Sequence, residues 1–144
     1  MSKEKKRLVI VGAGGFGREV QWLIERINEL KDEYEILGYV DDNIKQGIMI
    51  NNYPVLGGMG YLLEQHDEIG VAVAIGSASV RKKIVKACKK NAKLSFPNLI
   101  DPSVIMSNHI SMGEGNIICA ANVLTVNIEI KDFNIINSNF AHRF

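Results

Sequence analysis

Several features that would place this chain in a specialised class are scarce or missing. Its two cysteines, Cys88 and Cys119, are far apart and lack C-x-x-C or histidine spacing, so we expect buried free thiols and no metal site. The net charge is +1, which predicts no broad basic surface for nucleic acid. No apolar run approaches the roughly 18 residues of a membrane span, and residues 12–18 interrupt any signal-peptide core. A globular, cytoplasmic chain is predicted.

The most informative stretch is residues 7–19, R-L-V-I-V-G-A-G-G-F-G-R-E. Residues 8–11 are apolar and mostly β-branched, which predicts a buried parallel strand. Gly12, Gly14 and Gly17 follow at G-x-G-x-x-G spacing, directly before a segment with helical periodicity. The unpaired N–H groups of such a helix point over the turn and favour an anionic ligand, most often a phosphate. A glycine-rich turn that binds nothing is the alternative.

Two further segments are expected to meet this turn. Residues 34–40 are predicted as a second strand that ends in Asp41 and Asp42. An acidic residue there receives a ribose hydroxyl in dinucleotide folds, but aspartates also open turns, and both interpretations stay open. Residues 71–75 are predicted as another buried strand, followed by Gly76 and Ser77. Because ligands gather over the carboxyl ends of parallel strands, the three segments are predicted to form one pocket.

Apolar residues at helical spacing predict helices over residues 20–30, 58–65 and 80–90. The last of these helices carries six basic residues, which we interpret as a solvated face rather than a polyanion site. They are Arg81, Lys82, Lys83, Lys86, Lys89 and Lys90.

A period of six begins after residues 95–102, where two prolines mark a predicted domain boundary. We expect one domain over residues 1–96 and a second over residues 97–144. Hexapeptide periodicity is typical of a β-helix, whose short parallel strands stack in coils, and irregular β-hairpins are the alternative. The main series is Met106, Met112, Ile118, Leu124, Ile130 and Ile136, and a second series one position earlier contains Ile105, Ile117, Val123 and Ile135.

Together these segments resemble a family of sugar acetyltransferases that acylate bacterial surface saccharides. The family includes sialic-acid O-acetyltransferases and N-acetyltransferases of nucleotide-linked amino sugars. The resemblance rests on G-A-G-G-F-G-R-E-V, G-Y-V-D-D, A-I-G-S-A-S-V-R-K-K-I and F-P-N-L-I-D-P, followed by the hexads. It implies an α/β fold: a small Rossmann-like parallel-sheet domain, then the first coils of a left-handed parallel β-helix. It also implies a homotrimer, if the β-helix is complete, that binds acetyl-CoA between neighbouring β-helices.

The resemblance further implies which residues contact the nucleotide sugar. The glycine turn would cradle the diphosphate or sugar, the aspartates would approach the nucleoside, and the third strand end would complete the pocket. A nucleotide sugar is expected rather than NAD, because the region before Pro97 offers only about one mononucleotide-binding half. The implied substrate-binding residues are Gly12, Gly14, Gly15, Phe16, Gly17, Asp41, Asp42, Gly76 and Ser77.

The catalytic base of this family is a histidine followed by an acidic residue, and imidazole suits that role because its pKa lies near working pH. In this sequence His142 is the candidate, but Arg143 stands where the acid is expected. We therefore expect the base beyond Phe144 and a C-terminally truncated chain with little or no turnover. His66 and His109 are expected to lie in a loop and at a corner of the first coils.

The resemblance thus implies an acetyl-CoA-dependent acetyltransferase acting on a nucleotide-linked sugar for surface-glycan synthesis, with an incomplete catalytic half and no metal. One alternative is a non-catalytic module or remnant that binds a nucleotide or nucleotide sugar. Another is an NAD-dependent reductase, which rests on the G-x-G-x-x-G motif alone.

Overall fold

The computed structural model describes residues 4–138. Strands and helices alternate in the first two thirds of the chain. In chain order they are β1 (Lys6–Val11), α1 (Gly15–Leu30), β2 (Tyr34–Val40), β3 (Met49–Ile50), β4 (Tyr53–Gly57), α2 (Met59–Leu63), β5 (Ile69–Val73), α3 (Ala78–Cys88) and β6 (Leu94–Ser95). The strands form a six-stranded sheet in the order β3-β4-β2-β1-β5-β6. Only the pairing of β3 with β4 is antiparallel. The predicted Rossmann-like parallel sheet is confirmed.

Both long helices begin earlier than their apolar stripes predict, because the residue before each first turn decides where it starts. Gly14 is the N-cap of α1, and Ser77 caps α3 by accepting a hydrogen bond from the Val80 N–H. Strand β5 ends at Val73, two residues before the predicted end at residue 75, so residues 74–77 form the connection to α3. Within residues 4–138, every helix is too short or too polar to cross a lipid bilayer.

The central strand β1 is buried on both faces, which explains its unbroken apolar run. Leu8 and Ile10 point toward α1 and belong to the same core cluster as Ile24. Val9 and Val11 point the other way and pack in a second cluster with residues of α2 and α3. The sheet therefore lies between two layers of helices, with its carboxyl edge open.

Seven short strands follow, and each of the last six contains one residue of the main hexad series. They are β7 (Leu99–Ile100), β8 (Ile105–Met106), β9 (Ile110–Met112), β10 (Ile117–Ile118), β11 (Val123–Leu124), β12 (Ile128–Ile130) and β13 (Ile135–Ile136). All pair in parallel, in the groups β13-β10-β7, β11-β8 and β12-β9. These groups are the three faces of a parallel β-helix, so the hexad prediction is confirmed.

The two hexad series have different surroundings. Ile118, Leu124 and Ile130 of the main series fill the interior of the β-helix. In the second series Ile117 is 1% exposed, because the outer face of β7 and β10 packs in the core cluster that includes α1. Val123 stands on a different face and is 59% exposed. The hexads therefore identify the interior, and the docking of α1 decides which outer face is covered.

A ladder of asparagines links successive coils. Asn98 accepts hydrogen bonds from the backbone N–H and side-chain amide of Asn116, 18 residues later. Asn116 in turn accepts from the Asn134 N–H at 2.8 Å and donates to the Lys131 carbonyl at 2.7 Å. Asn116 is completely buried. The ladder satisfies backbone groups at the corner and fixes the stacking register of the coils.

Candidate functional site

Three chain segments meet at the carboxyl edge of the sheet. The Gly12 N–H donates to the Val40 carbonyl at 2.9 Å, and the Ala74 N–H donates to the Val11 carbonyl at 2.9 Å. These bonds hold the end of β1 between the ends of β2 and β5. The glycine turn, Asp41 and the segment at Gly76 consequently lie side by side, as the order of parallel strands predicts.

The three glycines of the motif occupy different environments. Gly12 has a φ of +101°, a conformation that favours glycine. A Cβ on Gly17 would lie 1.8 Å from the Gly12 carbonyl oxygen, so the helix can approach the turn only without a side chain there. A Cβ on Gly14 would meet no atom within 4 Å. Packing of the chain itself therefore requires glycine at 12 and 17, whereas Gly14 faces open space.

The N-terminus of α1 lies at this open position. Gly14 has no side chain to accept from the first turn, and that turn carries no acidic residue. The first N–H groups of the helix therefore keep their donor capacity and the positive end of the helix dipole. The ring of Phe16 packs against the core, so Phe16 presents its backbone rather than its side chain. An anion fits this position.

The second helix N-terminus is different. Ser77 Oγ accepts from the Val80 N–H at 3.4 Å and lies 3.2 Å from Ser79 Oγ. A Cβ on Gly76 would meet no atom within 4 Å, so the backbone before the cap is accessible. Because Ser77 already caps the helix, α3 is a weaker anion site than α1, and this corner is better suited to hydroxyl or amide contacts.

The two aspartates both bind backbone N–H groups. Asp41 Oδ2 accepts from the Ala13 N–H at 3.0 Å, and its Oδ1 accepts from the Asn43 N–H at 2.9 Å. Asp42 Oδ1 accepts from the Met59 N–H at 2.9 Å, at the start of α2. Asp41 thus closes a turn with Asn43, and its carboxylate also holds the glycine turn through Ala13. Its remaining lone pairs suit a hydrogen-bond donor such as a hydroxyl or a base N–H.

The prediction of a solvated face is wrong for Arg81, a residue at the candidate site that the sequence pattern does not identify. Its Nη1 donates to the Ile75 carbonyl at 2.7 Å and to the Gly76 carbonyl at 3.2 Å, and its Nε donates to the Phe133 carbonyl at 2.9 Å. Burial lowers the pKa of the guanidinium. The local signal was its position one turn after Ser77. The five lysines of the group are exposed, as predicted.

Within residues 4–138, neither the histidines nor the cysteines are placed to act as a catalytic base or nucleophile. His142 lies outside the described residues, and His66 and His109 are exposed in a loop and at a corner of the β-helix. Cys88 and Cys119 are buried, and burial raises the pKa of each thiol to about 11. Both therefore stay protonated and inert at neutral pH. What the sheet edge offers is binding, through backbone donors and Asp41.

A cavity of about 900 Å³ opens at the opposite edge of the sheet, beside Arg7 and Gly70. Two lysines near it are already paired with acidic side chains, Lys5 with Asp32 and Lys6 with Glu33. This is the amino edge of the strands, away from the N-termini of α1 and α3. The geometry therefore favours the carboxyl edge as the ligand site.

Several solved structures resemble this chain. The acetyltransferase domain of PglB from Neisseria gonorrhoeae, in complex with acetyl coenzyme A, is 27% identical with a TM-score of 0.81, over 94% of this chain and 63% of that chain. A mutant of perosamine N-acetyltransferase from Caulobacter crescentus, in complex with CoA and GDP-perosamine, is 27% identical with a TM-score of 0.75, over 96% of this chain and 63% of that chain. WeeI from Acinetobacter baumannii is 27% identical with a TM-score of 0.75, over 90% and 59%.

These likenesses cover most of this chain but less than two thirds of the structures it resembles. Among proteins with curated functions, no sequence matches significantly. Residues 7–88, more than half of the chain, match the family described as the PglD N-terminal domain. That segment contains the glycine turn, both aspartates, Gly76 and Arg81. This family match and the acetyltransferases among the structural neighbours together confirm the resemblance seen in the sequence. The chain belongs to the PglD N-terminal domain family.

Proposed function

We propose that this chain is part of an acetyl-CoA-dependent acetyltransferase that acts on a nucleotide-linked sugar for bacterial surface-glycan synthesis. Residues 1–96 would bind the acceptor nucleotide sugar, and residues 97–144, which include the described coils of the β-helix, would belong to the acetyl-CoA half. The observation that carries the proposal is the N-terminus of α1 at Gly14, which has no side-chain cap, in a chain that also forms a β-helix. Structural neighbours in complex with GDP-perosamine and acetyl coenzyme A support it.

The proposed contacts follow from the geometry of the sheet edge. The diphosphate or sugar lies over residues 12–17, where the backbone of Gly14 and Gly15 is open and the helix dipole is positive. Asp41 accepts from the nucleoside with the lone pairs that its two backbone bonds leave free. Asp42 supports this position through its bond to Met59. The exposed residues 76 and 77 close the pocket on the side of α3.

The chemistry that we propose is acyl transfer. The acceptor amine or hydroxyl attacks the thioester carbonyl, a new C–N or C–O bond forms, the C–S bond breaks, and CoA leaves as its thiol. A general base must take the proton of the acceptor, and a histidine suits this task at neutral pH. His142 is the candidate base in this sequence and lies outside the described residues.

Self-association and location belong to the same proposal. Ile105 and Val123 are directly paired on one β-helix face and are 67% and 59% exposed. Apolar side chains in this position suit an interface between identical chains, and we propose that they face the neighbours in a homotrimer. Acetyl-CoA and nucleotide sugars are both cytoplasmic substrates, so we propose that the protein acts in the cytoplasm.

One observation favours a second candidate, a nucleotide-sugar-binding module without turnover. The histidines within residues 4–138 are exposed and neither lies at the sheet edge. Binding and turnover are therefore separate questions and need separate measurements.

Calorimetric titration of the 144-residue chain with UDP-, GDP- and CDP-sugars tests the binding half, with NAD as the comparison ligand. We expect one nucleotide-sugar class to bind and NAD to bind more weakly. Failure of every nucleotide sugar to bind would overturn the proposal. Release of CoA thiol from acetyl-CoA in the presence of the bound sugar then separates the enzyme from the binding module.

A further inference from the structure

A single guanidinium joins the sheet edge to the β-helix. Arg81 lies in the first turn of α3 and donates on one side to the Ile75 and Gly76 carbonyls. On the other side it donates to the Phe133 carbonyl, 52 residues later in the chain. The three acceptors belong to the segment before α3 and to the turn before β13. Arg81 therefore sets the separation between a segment of the candidate site and the β-helix.

The β-helix end of this connection is held rigidly. Phe133 has a φ of +56°, which is rare for a bulky residue, and its ring packs edge-on against Phe96 with centroids 5.1 Å apart. A Cβ on Gly115 would lie 2.3 Å from that ring, so the backbone at Gly115 also packs closely against the ring. The Phe133 carbonyl is consequently a fixed point to which Arg81 attaches the exposed, glycine-containing corner at Gly76.

Arginine is suited to this task in a way that lysine is not. Its planar fork can donate in two directions at once, whereas an ammonium on a flexible stem acts as a point charge. The structure uses this property, since Nε and Nη1 serve acceptors in different parts of the fold. All three acceptors are neutral backbone carbonyls, so the contact fixes a position rather than neutralising a charge.

We propose that Arg81 is a positioning residue that holds the Gly76–Ser77 corner of the nucleotide-sugar site at a set distance from the β-helix. The inference rests on the proposed function, because it assigns that corner to the acceptor site. It predicts that the same arginine governs the affinity for the nucleotide sugar and the local stability of two segments that are distant in sequence.

The test compares Arg81→Met and Arg81→Lys with Lys89→Ala. Lys89 is the matched control, because it also links the end of α3 to the β-helix, through Glu114 at 3.2 Å and through the Phe133 ring, whose centroid is 5.8 Å from its Nζ, but its contacts do not include the Gly76 corner. Loss of hydrogen bonds from a charged donor predicts about tenfold weaker nucleotide-sugar binding for R81M. R81K should remain close to R81M, since one ammonium does not reproduce the fork, and K89A should bind like the wild type.

Hydrogen exchange of the unliganded proteins gives a second readout. In R81M we expect faster exchange of backbone amides at residues 76–79 and at residues 133–134 together, and in K89A no change at residues 76–79. Wild-type affinity in R81M or R81K, or faster exchange in only one segment, would overturn the positioning role. If the wild type binds no nucleotide sugar, the proposed function fails, while the exchange comparison still decides whether Arg81 couples the two segments.

Discussion

Arg26 and Asp101 form a two-point ion pair between α1 and the first corner of the β-helix. Arg26 Nε lies 2.8 Å from Asp101 Oδ2, and Arg26 Nη2 donates to Asp101 Oδ1 at 3.1 Å. The Asp101 side chain is 1% exposed and also accepts from the N–H and hydroxyl of Ser103. Both long helices that start at the candidate site, α1 and α3, are therefore bonded to the β-helix by an arginine.

The pH dependence of stability should reveal this pair. Burial alone would raise the pKa of Asp101, but its bonds to Arg26 and Ser103 outweigh burial, and the pKa lies below its ordinary value of 3.8. A carboxyl with a lowered folded pKa stabilises the fold above its unfolded pKa and loses that contribution as pH falls through the folded value. Asp101→Asn should therefore reduce the free energy of unfolding by about 2 kcal/mol at neutral pH, the size of the lost charge-assisted hydrogen bonds, because the Arg26 left behind is partly exposed to water.

The difference between D101N and the wild type should shrink as pH falls below the ordinary carboxyl value of 3.8. Urea unfolding at neutral and acidic pH measures it. Asp32→Asn is the control, because Asp32 pairs with Lys5 on an exposed surface and such pairs contribute less than about 1 kcal/mol. A loss in D101N no larger than that in D32N would contradict the assigned role of the pair.

The glycine turn allows packing to be separated from binding. Gly17→Ala places a Cβ 1.8 Å from the Gly12 carbonyl oxygen, so we expect a loss of about 3 kcal/mol or more in the free energy of unfolding. Gly14→Ala meets no atom within 4 Å at a φ of −77°, so we expect a loss of only about 1 kcal/mol or less, because alanine is a poorer N-cap than glycine. Thermal unfolding distinguishes the two variants.

If a ligand approaches the backbone at Gly14, the added methyl group should instead weaken nucleotide-sugar binding, which calorimetry measures. We expect about a tenfold loss, the size of one well-placed contact. A stable G14A variant with wild-type affinity would show that the ligand does not approach the chain at this position.

The sequence was informative where local rules decide the structure and silent where distant segments meet. Residues 34–40 were predicted with their observed bounds, because an apolar run ends there in two aspartates. The starts of α1 and α3 were predicted too late, because caps rather than apolar stripes set them. The role of Arg81 was not visible, because its acceptor at Phe133 is brought close only by the docking of the β-helix.

The asparagine ladder should be a major source of stability in the β-helix. Asn116→Ala removes the side-chain acceptor of the Asn134 N–H and one of the two donors to the Lys131 carbonyl, which still accepts from the Gly113 N–H. One backbone group that loses its partner costs about 1–3 kcal/mol, so we expect a loss of about 2 kcal/mol in the free energy of unfolding. Asn108→Ala, at an exposed position of the same β-helix, is the control and should change stability little. Equal stability of the two variants would contradict the ladder.

The exposed β-helix face predicts how the chain associates. Ile105 and Val123 pair directly across β8 and β11, and Val123 is 59% exposed. Val123→Lys places a charge that a dry interface cannot accommodate, so light scattering should show a lower mass than for the wild type. Because the site is exposed in the single chain, the variant should keep its stability to within about 0.5 kcal/mol. Leu30→Lys, at a residue 79% exposed at the end of α1, is the matched control and should leave the mass unchanged. An unchanged mass in V123K, or an equal effect in L30K, would show that this face is not the interface.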